Sequence, residues 1–230
     1  IVSPAGEKIP LVPVRQGSGT VLNFVFERTS VYLDYRLLVE RTNSELILMR
    51  FADPSPGIWR IVVEPQQLAD GIFHMWLPVT EFLTGEVYFL QSNPDTTITE
   101  PGNTTDPMTV ASYNGADNSI AIDSGRGYTR GGRLKPEFAA PGVEVTGAVS
   151  RGQFAKRTGS SIAAGITAGA TALLFEWMVY QLGRTNIDSI QLKNLMILGT
   201  ERKDTEVYPN RSWGYGSLNL YNTFEQLRTF

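Results

Sequence analysis

Two adjacent serines, Ser160 and Ser161, follow Gly159 and open a run of very small residues, Ile162-Ala163-Ala164-Gly165-Ile166-Thr167-Ala168-Gly169-Ala170. Beyond them Ile166, Ala170, Leu173, Leu174 and Trp177 recur at helical spacing, which predicts a helix from about Ser161 to Leu182, ended by Gly183. A serine in the first turn of such a helix lies among backbone N–H groups that have no intrahelical partner, at the positive end of the helix dipole. Those donors suit an oxyanion developing beside the serine Oγ, which is the chemistry of acyl transfer. The same residue types also serve as plain helix caps, and this stretch alone reads first as a capped helix with no chemistry. Small side chains let other backbones come close, so the helix is expected to be central and buried, with the Ser161 Oγ facing solvent in a shallow cleft.

A serine hydroxyl needs a base. The chain holds one histidine, His74, upstream of Ser161 in the strand-like run Ile72-Phe73-His74-Met75-Trp76, where a structural role is expected. A Gly-x-Ser-x-Gly/Ala elbow fits Gly159 to Ala163, but the order that goes with it, serine then acid then histidine, is impossible here. The order acid, histidine, serine is compatible, with both partners located before the serine. There is no cysteine, which excludes disulfides, thiolate-bound zinc and a thiol nucleophile. Asp53 with Glu64, and Asp117 with Asp123, lack motif spacing and read as solvated groups; Asp117-Asn118 and Asp204 are considered for calcium, but no metal or cofactor is expected. Gly125 to Gly132 lacks the lysine of a phosphate loop. The start, Ile1-Val2, is followed by Ser3-Pro4 and does not match a trypsin-like activated terminus.

The elements that must hold Ser161 fall into two unlike halves. Val21–Phe26, Val31–Val39, Glu45–Arg50, Ile58–Glu64, Ile72–Leu77 and Val87–Leu90 read as strands, separated by turn formers such as Asp53-Pro54-Ser55-Pro56-Gly57 and Asp70-Gly71. That half is expected to be all-β, a β-sandwich or jelly roll. From about Thr99 glycine and alanine become frequent, and a second helix is expected over Ile187–Leu198, with Asp188 and Ser189 as capping types. With 230 residues, 42% hydrophobic, the chain is long enough for one large or two small domains. A formal net charge of -3 and no Lys/Arg run longer than a pair exclude a nucleic-acid footprint. No apolar run of about 18 residues is read from the sequence, so no membrane span is expected. The compartment is left open.

Several segments, in order, resemble the subtilisin-like serine peptidases (subtilases). Lys135-Pro136-Glu137-Phe138-Ala139-Ala140-Pro141-Gly142-Val143 is similar to their Lys-Pro-Asp-x-x-Ala-Pro-Gly segment, and Gly159-Ser160-Ser161-Ile162-Ala163-Ala164 to their Gly-Thr-Ser-Met-Ala motif. Met108 to Tyr113 resembles the strand before the first of these, Ser124-Gly125-Arg126-Gly127 its Ser-x-x-Gly turn, and Trp213 to Asn219 the closing Gly-x-Gly-x-Val-Asn segment. The resemblance spans about residues 99–230 and is closest to clostridial subtilases of spore germination, in which a jelly roll is inserted between the oxyanion-hole asparagine and the serine. It implies an α/β parallel-sheet domain over 99–230, the C-terminal part of a catalytic domain, with residues 1–98 as the jelly-roll insert. It implies Ser161 as the nucleophile, with the acid, the histidine and the oxyanion asparagine in a preceding part of the same polypeptide. The loop Glu100-Pro101-Gly102-Asn103 resembles the region lining the main specificity pocket. Three positions depart from the pattern: Ser160 for Thr, Gly165 for Pro and Glu137 for Asp.

The expected function is therefore that of a serine endopeptidase acting on protein or peptide substrates in the full-length parent, with the chain alone inactive. Two alternatives stay open. One is a catalytically inactive pseudoprotease or scaffold with a degenerate triad; the other is a β-sandwich module that binds carbohydrate or protein through exposed Trp59 or Trp76.

Overall fold

The computed structural model describes residues 1–11, 19–39, 44–64 and 71–228. It divides into two compact units, Ile1–Met75 and Trp76–Phe230.

In the first unit β1 (Thr20–Asn23), β2 (Ser30–Val39) and β3 (Ser44–Ala52) form an antiparallel sheet in the order β1-β2-β3. Alternation along β2 puts Val31, Leu33 and Tyr35 inside while Tyr32 and Arg36 face solvent. Val31 and Leu33 join Ile1 and Phe24 in a small core, closed by Trp59, whose ring meets Phe24 and Phe51 edge-on at 5.1 and 5.3 Å. These three strands agree with the sequence reading. Ile58–Glu64, Ile72–Leu77 and Val87–Leu90 do not: 58–64 makes one isolated bridge, Arg60 with Val2, and the other two lie outside any strand, Leu90 in a turn. Residue type supplies a strand preference, but a strand also needs a continuous ladder with a neighbouring chain, which residue type alone does not supply. Asp70, of the expected Asp70-Gly71 turn, lies outside the described residues.

In the second unit β4 (Val110–Asn114) pairs in parallel with β6 (Phe138–Pro141) and antiparallel with β5 (Ser119–Ile120). The free edge of β6 is covered by the segment 213–218: Tyr215 N donates to Glu137 O, Ala139 N to Gly216 O and Leu218 N to Ala139 O. Gly214 makes this possible, with φ 57° and a Cα so close to the Pro136 and Glu137 carbonyls that no side chain fits. After β6 comes a hairpin, β7 (Val145–Val149) with β8 (Gln153–Arg157), and then three helices: α1 (Ser160–Leu182), α2 (Ser189–Leu198) and α3 (Leu220–Arg228). Gly183, at φ 62°, caps α1 by donating its N–H to Met178 O. Asp188 caps α2 in a reciprocal box with Gln191. Both ends agree with the sequence reading, whereas β5, the β7–β8 hairpin and α3 carry no sequence expectation. The core joins Phe138 of β6 to Ala170, Leu174 and Met178 of α1 and Met196 of α2.

Beneath that core lies a buried cluster of charge. Lys135 Nζ donates to Glu137 Oε1 at 2.5 Å, and Lys193 Nζ of α2 approaches the same oxygen at 3.5 Å. Glu137 Oε2 accepts from Thr109 N, while Lys135 and Lys193 donate to the carbonyls of Pro107 and Thr105. One carboxylate thus balances two ammonium groups and fastens the segment entering β4. Glu137→Gln is expected to cost roughly 3–5 kcal/mol, because two buried cations lose their counter-charge. Lys193→Met, which removes the surplus cation, is expected to cost less; urea unfolding of the two variants checks the order, and equal losses would contradict it.

Tyr113, at the end of β4, packs on Trp213 with ring centroids 5.3 Å apart. Burial, and then the nearby Glu201 carboxylate, raise the pKa of its hydroxyl above the ordinary tyrosine value. The folded state therefore keeps this proton to higher pH than the unfolded chain. The associated stability is complete below the ordinary tyrosine pKa and is lost as pH rises through the raised value. Burial and Glu45 raise the Tyr35 hydroxyl as well, so an ultraviolet titration is expected to show two late-ionising tyrosines, one of which disappears in Tyr113→Phe.

Candidate active site

Two backbone hydrogen bonds set the start of α1. Gly142 N, just past β6, donates to Tyr113 O of β4, and Gly159 N, after the β7–β8 hairpin, donates to Gly142 O. The chain thus returns to the C-terminal ends of the two parallel strands before it turns into the helix. Gly159 makes the turn at φ 147° and its carbonyl accepts the first helical bond, from Ile162 N. Gly142 is equally constrained: a Cβ there would run into Ser112 Oγ and the Gly159 carbonyl. Ser112 is itself locked, its N–H donating to Ser124 Oγ at 2.9 Å, which gives the Ser124-Gly125-Arg126-Gly127 turn its place. Thr97 N donates to Arg126 O and Arg126 N to Thr97 Oγ1, closing the turn.

Ser161 therefore stands in the first turn of a helix of 23 residues, exposed, and its side chain makes no hydrogen bond among the described residues. It is not a cap. The helix around it differs from the expectation of a buried element. Ala163, Thr167, Ala170, Leu174 and Met178 form the buried stripe, and Thr167 Oγ1 returns a hydrogen bond to Ala163 O. On the other side Ser161, Ala164, Gly165, Ala168, Gly169, Ala172, Leu173 and Phe175 are exposed, and Tyr180 is 79% exposed. The small-residue run does allow close approach, but in this chain nothing described occupies that face. The sequence expectation of no long apolar stretch also needs correction, since α1 is long and apolar enough to cross a bilayer by length and composition. Its alanines and glycines, each weakly apolar, conceal this in a reading based on large side chains, and its buried stripe packs on strands as a core helix does.

His74 belongs to the first unit and lies outside any strand. The Glu100–Asn103 loop is tied to Thr109 at the start of β4, through Thr109 Oγ1 to Gly102 O. The Asp117 carboxylate accepts from the N–H and hydroxyl of Ser119, which lowers its pKa and fixes a turn. Glu64 forms an exposed ion pair with Lys8. Among the described residues no three His, Asp or Glu side chains gather as metal ligands. Trp59 is partly buried against the first unit's core and its Nε1 donates to Ser55 O; Trp76 is half exposed and donates to Thr96 O. Sequence reasoning took no account of the Gly142 junction, although Pro-Gly directly after an apolar strand signals a chain reversal.

A fold in which parallel strands deliver a glycine-closed helix headed by an exposed serine is that of the subtilisin-like proteins, and comparison with known proteins agrees. The subtilase (peptidase S8) family model matches residues 84–216, more than half of the chain. The chain belongs to the subtilase family. It is 35% identical over 85 residues to C5a peptidase of Streptococcus pyogenes, covering 37% of this chain and 7% of that relative. The CspB protease of Clostridium perfringens superposes on 100% of this chain with a TM-score of 0.80 and 26% identity, over 49% of its own length. The patellamide maturation protease PatA matches at 23% identity and a TM-score of 0.49, over 60% of this chain and 48% of its own. The chain thus spans 7% of the curated relatives it matches and about half of these solved structures.

Gly142→Ala is expected to destabilise the second unit by about 1–3 kcal/mol, since overpacking displaces either β4 or the entry to α1. Ser161→Ala, at an exposed position, is expected to stay within about 0.5 kcal/mol of the parent. Thermal unfolding of both variants checks the contrast.

Proposed function

We propose that Ser161 is the nucleophile of a serine endopeptidase that cleaves protein or peptide substrates by acyl transfer, and that the rest of the catalytic group comes from a preceding part of the same polypeptide. The observation that carries this reading is the exposed, uncapped Ser161 at the head of α1 in a chain of the subtilase family. Its hydroxyl is presented to solvent with the free N–H groups of the first turn beside it, an arrangement suited to an oxyanion and of no use to a cap. The exposed face of Ala164, Gly165, Ala168, Gly169 and Ala172 supports the second part, because helices lined with such side chains admit another backbone at close range. The match to about half of CspB leaves room for that complement. The division near residue 98 into a jelly-roll insert and a C-terminal catalytic portion belongs to the same reading, supported by the antiparallel β1-β2-β3 sheet.

A neutral serine hydroxyl attacks a carbonyl poorly until a base takes its proton, and among the described residues the Ser161 hydroxyl makes no hydrogen bond to a base. The 230-residue chain alone is accordingly expected to show a turnover about 10⁴ to 10⁶ below that of a complete triad. The test is to treat the chain with a fluorophosphonate probe and a fluorogenic peptide mixture, alone and co-refolded with the preceding part of its parent, using Ser161→Ala as control. Labelling that appears only on complementation, and vanishes in Ser161→Ala, is expected. Labelling of the chain alone would place a base within it, and silence under both conditions would favour a pseudoprotease.

A further inference from the structure

The β7–β8 hairpin is built unlike the rest of its unit. The two strands pair with each other over Val145–Val149 and Gln153–Arg157, and among the described residues no other strand pairs with either one. Neither face is covered: Thr146, Gly147, Ala148, Phe154, Lys156 and Arg157 are exposed, Phe154 by 74%. Its charge is one-sided. Arg151, Lys156 and Arg157 oppose the lone carboxylate of Glu144, which Lys156 already engages at 3.2 Å, in a chain whose formal net charge is -3. Arg151 and Arg157 have no ion-pair partner among the described residues.

This basic strand runs straight into the candidate nucleophile. Arg157 ends β8 and Ser161 follows four residues later, so their Cα atoms are at most about 14 Å apart. β8 is about 17 Å long, enough to lie beside five residues of an extended peptide. An unpaired strand edge offers outward N–H and C=O groups that an extended chain can continue as a further strand, with side chains alternating between the two faces. On one face those side chains would meet Phe154 and Lys156, on the other Arg157.

We infer that the free edge of β8 binds an extended acidic peptide segment, with Arg157 and Arg151 selecting Asp or Glu, and Phe154 an apolar residue, within about five positions of the bond presented to Ser161. This rests on the peptidase reading of Ser161 and names the substrate class that its site prefers. The bland counterpart is that basic side chains on an open edge only keep copies of the chain from pairing.

The experiment measures binding and cleavage separately. Fluorescein-labelled peptides of alternating Asp and Val, or of alternating Lys and Val, are titrated into the 230-residue chain and followed by anisotropy at low and moderate salt. The acidic peptide is expected to bind, more weakly as salt rises, and about tenfold more weakly to the double variant Arg151→Glu/Arg157→Glu. That variant is expected to gain affinity for the basic peptide, a reversal that loss of folding cannot imitate. Equal binding of both peptides, no binding of either, or no response to the charge reversal would overturn the inference. Cleavage of the same peptides by the complemented chain distinguishes the two levels. Ser161-dependent cleavage with no acidic preference leaves the peptidase reading standing and defeats the inference, whereas charge-reversible acidic binding without cleavage supports the edge as a docking strand and defeats the peptidase reading.

Discussion

The hydrogen-bonded junction at Gly142 is the constraint on which the second unit depends. Its N–H is spent on Tyr113 of β4 and its carbonyl on Gly159, so one residue ties the exits of two parallel strands to the entrance of α1. A side chain there would meet Ser112 Oγ and the Gly159 carbonyl. The tightness is what sets Ser161 relative to the sheet, because a long helix that starts from a fixed point holds its first turn as firmly as the core holds its buried stripe. Leu174 and Met178, several turns away, hold that stripe against Phe138 and Met196.

The opposite end of the sheet is secured differently, by charge rather than by close packing. Glu137, one residue before β6, draws together Lys135, Lys193 of α2 and the N–H of Thr109 before β4. A shorter aspartate in that position would have less reach toward two ammonium groups and a backbone donor at once. The substitution that departs from the family pattern is thus accompanied by a lysine on α2, and the surplus positive charge is dispersed over the Thr105 and Pro107 carbonyls. Such a cluster contributes specificity of placement more than net stability, since burying three charges offsets much of what their attraction returns.

The proposed function depends on surfaces the chain leaves open. α1 shows solvent a face of serine, alanine and glycine above exposed Leu173 and Tyr180, and the β7–β8 hairpin shows an unpaired basic edge. The first suits a closely packed backbone and the second an extended chain. Both flank Ser161, one along the helix it heads and one along the strand that leads to it.

Much of this was legible in residue order. The α1 and α2 boundaries followed from the small-residue run, Gly183 and the Asp188 cap, and Ser161 from its place after Gly159, because caps, helical spacing and turn residues act over a few neighbours. The strands β1, β2 and β3 were readable from their alternation for the same reason. Ile58–Glu64, Ile72–Leu77 and Val87–Leu90 carry similar residues and are not strands, since pairing requires a partner that no local pattern reveals. The tertiary structure alone decided that half of α1 is bare, that Glu137 serves two lysines, and that Gly142 joins β4 to α1. Each of those outcomes rests on groups many residues apart in the chain, where the energy of an arrangement depends on which surfaces meet.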